Sequence, residues 1–124
     1  MTQIPPGTPT ILLVDDEPLI LMMAAEILVD AGYDVTPCAS AEQALALVAD
    51  GYRPDILVTD QSMPGISGLE LAQRLSRDAG VSAVLIATGG GGVENHGFPT
   101  LTKPFREADL IHHIRAIAPP RAPA

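Results

Sequence analysis

The 124-residue chain lacks most of the residues on which disulfide-stabilised, thiolate-metal and nucleic-acid-binding proteins depend. Its one cysteine, Cys38, has no partner for an internal disulfide, and no metal-binding spacing surrounds it. Only 7 Lys and Arg stand against 15 Asp and Glu, and the net charge of −8 repels nucleic acid phosphates. These scarcities predict a protein of the reducing cytoplasm that does not bind nucleic acid.

The chain also lacks an apolar run long enough to cross a membrane. Its longest run, Leu19 to Ala25, is interrupted by Glu26 and falls far short of the roughly 20 residues that a span needs. The first ten residues do not have the basic and then apolar order of a signal peptide. We therefore expect a cytoplasmic protein without membrane contact.

Prolines are concentrated at the two ends of the chain, where they predict flexible arms over residues 1–9 and 119–124. The remaining segment, residues 10–118, is the right size for one domain, and an apolar content of 47% is enough to fill one core. We expect this domain to be a monomer.

Short apolar runs alternate with segments of helical periodicity. The runs predict strands at Thr10–Val14, Tyr33–Cys38, Asp55–Thr59, Val81–Ala87 and Thr100–Thr102. Helices are predicted from Pro18 to about Ala31, from a cap at Ser40 to near Gly51, from a cap at Ser67 to about Ala79, and from Arg106 to Ala118. Residues 89–99 show no helical period. The alternation predicts an α/β fold with a parallel sheet, right-handed crossovers and helices on both faces.

Four of the predicted strands end on polar side chains suited to phosphoryl chemistry: Asp15 and Asp16, then Asp60, then Thr88, then Lys103. In open α/β sheets, ligands bind in the crevice beyond the carboxyl ends of the strands. An Asp carboxylate can attack phosphorus, but neighbouring carboxylates repel one another, and oxygen ligands without His or Cys favour neutralisation by Mg²⁺. The ammonium of Lys103 and the hydroxyl of Thr88 can stabilise phosphoryl oxygens.

The motifs around these residues give the chain a family resemblance. They read Ile-Leu-Leu-Val-Asp15-Asp16-Glu, Leu-Val-Thr-Asp60-Gln-Ser-Met-Pro-Gly-Ile-Ser-Gly, Ile-Ala-Thr88-Gly and Lys103-Pro-Phe. Over about residues 10–118 the chain resembles the receiver domain of two-component response regulators. The resemblance implies a flavodoxin-like (CheY-like) doubly wound sheet of five parallel strands in the order 2-1-3-4-5, with the fourth helix short or missing here.

The resemblance also implies a role for each site residue. Asp60 accepts a phosphoryl group from the histidine of a sensor kinase or of a histidine phosphotransfer protein, and later loses it by slow hydrolysis. The Mg²⁺ ligands implied are Asp16, Asp60 and the main-chain carbonyl of Ser62, together with Asp15, which contacts the ion mostly through water. Thr88 and Lys103 bind phosphoryl oxygens, and the Lys103-Pro104 peptide bond is cis.

Two departures from the usual receiver pattern indicate a subgroup. Thr100 stands where receivers usually carry a Tyr or Phe that reports activation, and the segment from Thr88 to Lys103 is short and contains four consecutive glycines. Both features resemble the FAT GUY receivers, mostly single-domain partners of HWE-type kinases, several of them in general stress signalling. Ile86 and the glycines replace the two aromatic residues of that motif. We expect a stand-alone receiver that signals through ordering of residues 89–99.

Three other interpretations stay open. A small phosphohydrolase would use Asp60 on free metabolites, but haloacid-dehalogenase-like enzymes place an acid where Ser62 stands. An interaction module with an unused site would not need its intact acidic residues. The chain could also be a receiver fragment of a larger hybrid kinase or regulator.

The first predicted helix is apolar on more than one face. Its inward residues are predicted to be Ile20, Met23, Ala24, Ile27, Leu28 and Ala31. Its outward apolar residues are predicted to be Leu21, Met22, Ala25 and Val29. Because this outward set lies next to the acidic site, we expect it to dock the helical hairpin that presents a kinase phosphohistidine.

Overall fold

Five strands and four helices make up the part of the chain that the computed structural model describes, which is residues 7–81, 83–89 and 97–117. In chain order they are β1 Thr10–Val14, α1 Pro18–Asp30, β2 Asp34–Cys38, α2 Ala41–Ala49, β3 Ile56–Asp60, α3 Gly68–Ala79, β4 Ala83–Thr88, β5 Thr100–Thr102 and α4 Glu107–Ile117. The predicted strands and helices are therefore all present, with ends that move by one or two residues. The predicted arms lie mostly outside the described residues.

The strands form one parallel sheet in the order β2-β1-β3-β4-β5. This order confirms the predicted doubly wound α/β fold. Within the described ranges no helix separates β4 from β5, as predicted for a short or missing fourth helix. Most of the segment for which ordering was predicted, residues 89–99, lies outside the described residues.

Side-chain caps begin the two helices that precede and follow β3. Ser40 Oγ accepts a hydrogen bond from Gln43 N at 3.1 Å, and Ser67 Oγ accepts one from Glu70 N at 3.2 Å. In a capping box the side chain three residues after the cap accepts a hydrogen bond from the backbone N–H of the cap residue. In α2 that side chain is Gln43, and its Oε1 accepts instead from Ala39 N at 2.9 Å, one residue before the cap. Both serines still satisfy a backbone N–H group that the helix leaves unpaired.

The apolar core fills both faces of the sheet. One cluster joins β1, β3 and β4 to α2 and α3, and its fully buried members include Leu12, Leu57, Leu71, Leu75 and Ile86. The other joins the sheet to α1 and α4, and its fully buried members include Ile11, Leu28, Ile56, Leu85 and Ile114. Helices therefore cover both faces, and the ends of the strands are left to carry the acidic and basic groups of the site.

The structure corrects the predicted orientation of α1. Met23, predicted to face inward, is 62% exposed, whereas Leu21 and Ala25, predicted to face outward, are half-buried against the core. Ala24 and Leu28 are buried as predicted. The helix is apolar on most of its circumference, so the sequence pattern does not define which stripe contacts the sheet.

None of the described helices is long and apolar enough to span a membrane.

Candidate functional site

Three carboxylates meet at the carboxyl edge of the sheet. Asp15 and Asp16 directly follow β1, and Asp60 ends the neighbouring strand β3, where Val14 pairs with Thr59. One oxygen from each carboxylate lies within 4.8 Å of the others. The sequence prediction that these three side chains come together is therefore confirmed in the structure. Their donor set, three oxygens without nitrogen or sulfur, suits a hard cation such as Mg²⁺.

Asp15, like Asp60, is buried. Its side chain accepts a hydrogen bond from Glu17 N through Oδ1 at 2.9 Å, and its own N–H donates to Cys38 O at 3.1 Å. Only 6% of the residue is exposed. Burial raises the pKa of Asp15 above its ordinary value of 3.8, and the charges of Asp60 and Asp16 add to the increase, against the lowering effects of the Glu17 bond and Lys103. Burial at this position therefore disfavours the ionised form of the Asp15 carboxyl group.

Lys103 supplies a positive charge opposite the carboxylates. Its Nζ lies 2.8 Å from Asp60 Oδ1 and 3.9 Å from Asp15 Oδ2. Partial burial acts to lower the pKa of Lys103, but the hydrogen bond and charge of Asp60, with Asp15 and Glu17, outweigh it and raise that pKa above 10.5. The lysine side chain is therefore charged at neutral pH. The Lys103-Pro104 peptide bond is cis, as predicted from the family resemblance.

Thr88 and Ser62 flank the carboxylate group. Thr88 ends β4, one residue beyond Ala87, which pairs with Asp60 across the sheet. Its carbonyl accepts a hydrogen bond from Lys103 N at 2.7 Å, so the backbones that carry the predicted hydroxyl and ammonium groups are directly linked. Ser62 is an exposed residue of the loop that follows β3. The structure thus places every predicted site residue at one edge of the sheet.

Sequence reasoning missed two residues that fix the loop between β3 and α3. Gln61 is bonded to β4 and to the first turn of α3, and Gly68 packs so closely on β3 that a Cβ there would lie 2.2 Å from Asp60 O. The sequence gives no signal for the bonds of Gln61. A small residue directly after the cap at Ser67 could have indicated the close approach at Gly68.

An apolar cleft of about 490 Å³ opens beside the site between α1 and the segment that follows β5. Its wall includes Met23 and Ile27 of α1, and Pro104 and Phe105 on the other side. Lys103 also contributes to the lining, so the cleft adjoins the charged site. Leu19 and Met22 are exposed at the same end of α1, at 75% and 63%.

A doubly wound parallel sheet with an acidic group and a lysine at its carboxyl edge is an α/β arrangement whose charges suit a bound cation and an anionic group. Residues 11–115 match the family model described as the response regulator receiver domain, and the chain belongs to that family. Receiver domains take phosphate from histidine kinases and bind Mg²⁺ in an acidic pocket. They are phosphoacceptors rather than classical enzymes, which favours the phosphoacceptor interpretation over a phosphohydrolase.

Two kinds of relatives agree with this assignment. The chain is 35% identical over 117 residues to the phosphate regulon transcriptional regulatory protein PhoB of Pseudomonas aeruginosa, covering 87% of this chain and 51% of PhoB. The chain spans about half the length of the curated relatives it matches. Among solved structures, chemotaxis response regulator CheY4 of Vibrio cholerae is 29% identical with a TM-score of 0.77, covering 90% of this chain and 99% of CheY4. A receiver protein from Sinorhizobium medicae is 28% identical with a TM-score of 0.78, covering 90% and 94%.

Proposed function

We propose that the protein is a phosphoacceptor that takes a phosphoryl group onto Asp60 from a sensor histidine kinase or a histidine phosphotransfer protein. The observation that carries this proposal is the grouping of the three carboxylates with Lys103, whose Nζ lies 2.8 Å from Asp60 Oδ1. Among these carboxylates, Asp60 is the one at a strand end with Lys103 against it. It is therefore the nucleophile in our proposal.

In the transfer step, a carboxylate oxygen of Asp60 forms a bond to phosphorus. The bond from phosphorus to the partner's histidine nitrogen breaks, and that nitrogen leaves with the electron pair. Asp15, Asp16, Asp60 and the Ser62 carbonyl would hold Mg²⁺, which neutralises charge that gathers on the phosphoryl oxygens. Slow attack by water on phosphorus would break the bond to the Asp60 oxygen, release inorganic phosphate and return Asp60 to its free carboxylate.

Lys103 and Thr88 complete the phosphoryl site in this proposal. The ammonium of Lys103 moves from the Asp60 carboxylate to a phosphoryl oxygen, so its charge stays within the site before and after transfer. The Thr88 hydroxyl donates a hydrogen bond to another phosphoryl oxygen. Because Lys103 N donates to Thr88 O, a shift of either residue is transmitted to the other.

The apolar end of α1 is the proposed docking surface for the phosphate donor. Leu19, Met22 and Met23 are exposed there, next to the cleft and to the acidic site. A helical hairpin that lays its apolar side chains on this surface would bring its phosphohistidine over Asp60 and exclude water. The structure changes the membership of the surface predicted from the sequence, since Leu21 and Ala25 contribute to the core instead.

Phosphorylation adds about two negative charges at one strand end and shifts the balance between two conformers of the domain. The downstream effect would be protein binding, relay of phosphate or drainage of phosphate from a shared kinase. We place the protein with the FAT GUY receivers, with an HWE-type kinase as donor and general stress signalling as the pathway. Thr100, where an aromatic residue is usual, and the Ala-Thr-Gly sequence of residues 87–89 at the end of β4 support this placement.

The fraction of each relative's length that this chain covers supports two forms of the proposal, a stand-alone receiver and the receiver part of a longer protein. The chain covers 99% of CheY4, which fits a stand-alone receiver, and 51% of PhoB, which fits the receiver part of a longer regulator or hybrid kinase. An antibody raised against the domain separates the two in an extract of the native cells. A band at 12.9 kDa supports the stand-alone form, and a longer band supports the other.

The central experiment is intact mass spectrometry after treatment with acetyl phosphate and MgCl₂, and in parallel with a phosphorylated sensor kinase. We expect the protein to gain one phosphoryl group and Asp60→Asn to gain none. Asp30→Asn, at an exposed aspartate that ends α1, is the matched control and should gain one phosphoryl group. Failure of the wild-type protein to gain mass from either donor would contradict the proposal. With the kinase, a time course shows whether phosphate stays on Asp60, passes on or is released.

A further inference from the structure

Gln61, the residue after the proposed phosphoacceptor, is bonded through three separate groups. Its N–H donates to Ala87 O of β4 at 2.8 Å, and its carbonyl accepts from Gly68 N at 3.1 Å. Its side-chain Oε1 accepts from Leu69 N at 2.8 Å. The last two donors belong to the first turn of α3, so Gln61 joins the end of β3 directly to the start of that helix.

These bonds connect the two ends of the loop of residues 62–67, because Gln61, which precedes the loop, is bonded to Gly68 and Leu69, which follow it. A single backbone bond would allow the helix start to pivot about it, whereas a second bond from the side chain fixes its direction. The close approach of Gly68 to Asp60 O leaves no space for a compensating shift toward the strand. Ser62, the first residue of the loop, is therefore held from both sides.

We propose that Gln61 is a positioning residue for the metal site: its side-chain bond to Leu69 N holds the loop so that the Ser62 carbonyl and the Asp60 carboxylate face the same cation. The inference rests on the proposed function, because it assigns Ser62 as a Mg²⁺ ligand. Without the bond, the loop becomes ordered only when the cation binds, and the entropic cost of ordering it lowers the Mg²⁺ affinity.

The test compares Mg²⁺ affinity in two matched glutamine variants, measured by titrating ¹⁵N-labelled protein with MgCl₂ at constant ionic strength. Gln61→Met keeps the size of the side chain and removes the acceptor. Gln43→Met does the same at α2, where Oε1 accepts from Ala39 N at 2.9 Å. We expect Gln61→Met to bind Mg²⁺ about three- to tenfold more weakly than wild type, the range that one hydrogen bond can supply. Gln43→Met should bind Mg²⁺ as wild type does.

Rescue separates positioning from a merely structural role. Gln61→Glu keeps an acceptor oxygen for Leu69 N, and its Mg²⁺ affinity should be at least the wild-type value. Because the added charge tightens Mg²⁺ binding by itself, the bond is also followed at the Leu69 amide, whose chemical shift should move in Gln61→Met and return toward the wild-type value in Gln61→Glu. If Gln61→Met does not fold, Gln61→Asn, whose carbonyl is one methylene too short, takes its place. Equal Mg²⁺ affinity in Gln61→Met and wild type would overturn the inference and leave the proposed function intact. Absence of Mg²⁺ binding by the wild-type protein would overturn both.

Discussion

The ammonium of Lys103, the residue directly after β5, lies 2.8 Å from Oδ1 of Asp60 at the end of β3, although β4 lies between these two strands. The lysine reaches across the end of β4 because its backbone N–H is bonded to Thr88 O at the end of that strand. One carboxylate therefore faces a lysine and a proposed cation site together. Lys103 and a divalent cation bind the same negative charge, so each weakens the attraction of the other.

Replacement of Lys103 should separate metal binding from phosphoryl transfer. In Lys103→Met, the loss of one positive charge next to Asp60 should tighten Mg²⁺ binding by about fivefold, or about 1 kcal/mol. Phosphorylation by acetyl phosphate should nevertheless slow, because the phosphoryl oxygens lose a cationic partner. NMR titration and intact mass measure the two effects. Arg115→Met, at an exposed arginine near the end of α4, controls for net charge, and weaker Mg²⁺ binding in Lys103→Met would contradict the argument.

The raised pKa of Asp15 makes it a source of instability in the metal-free protein. Folding raises the pKa of this carboxyl group above 3.8, its ordinary value in the unfolded chain. Below pH 3.8 the group is protonated in both states and the folded protein has its full stability. As pH rises through the higher pKa of the folded state, this stability is lost, because the buried group must then ionise. Asp15→Asn keeps an oxygen acceptor for Glu17 N and removes the charge. It should be more stable than wild type at neutral pH, by about 1 kcal/mol, or about 4 °C in Tm.

Urea denaturation in EDTA at a series of pH values measures this difference. The advantage of Asp15→Asn should be near zero below pH 3.8 and should grow toward neutral pH, since only the wild-type side chain ionises. Adding MgCl₂ should reverse the order, because wild type then gains stability from a cation that the variant binds weakly. A variant less stable than wild type at neutral pH in EDTA would show that the charge of Asp15 stabilises the fold.

Gly68 is required by the close contact between α3 and β3. A methyl group at this position would lie 2.2 Å from the carbonyl oxygen of Asp60, a backbone atom that cannot move without shifting the strand. We expect Gly68→Ala to lower the free energy of unfolding by about 2 kcal/mol or more. Gly89→Ala is the matched control because a Cβ there meets nothing within 4 Å. Equal urea midpoints for the two variants would contradict the contact.

The sequence was sufficient to predict the fold and the grouping of the site residues for one physical reason. In a parallel sheet every strand delivers its carboxyl end to the same edge, so the order of Asp15, Asp60, Thr88 and Lys103 along the chain already implies their proximity. In the structure the strands are parallel neighbours, and Lys103 Nζ lies 2.8 Å from Asp60 Oδ1 and 3.9 Å from Asp15 Oδ2. What the strands do not define is the geometry of the loops, which is why the three bonds of Gln61 were not predicted.

The orientation of α1 could not be predicted because the helix offers several apolar stripes. Met23 and Leu21 lie on different faces and have similar hydrophobicity, so burial of either would satisfy the pattern. Packing decides between them: Leu21 contacts the core, and Met23 lines the cleft next to Phe105. Met22 and Val29 are exposed as periodicity indicates, whereas Leu21 and Ala25 are half-buried and Met23 is exposed instead, and this difference determines which variants test docking.

Docking on the apolar end of α1 can be tested with two exposed residues of the same helix. Met23 is 62% exposed near the site, and Val29 is 54% exposed at the other end of α1. Met23→Gln should slow phosphoryl transfer from a phosphorylated kinase by about tenfold, because an apolar anchor near the centre of the contact is lost. Its phosphorylation by acetyl phosphate should not change, because that donor needs no docking surface. Val29→Gln should behave as wild type with both donors. If Met23→Gln and Val29→Gln slow phosphoryl transfer from the kinase equally, the proposed docking surface is wrong. A kinase that docks next to Asp60 would contact the end of α1 near the site more than the far end.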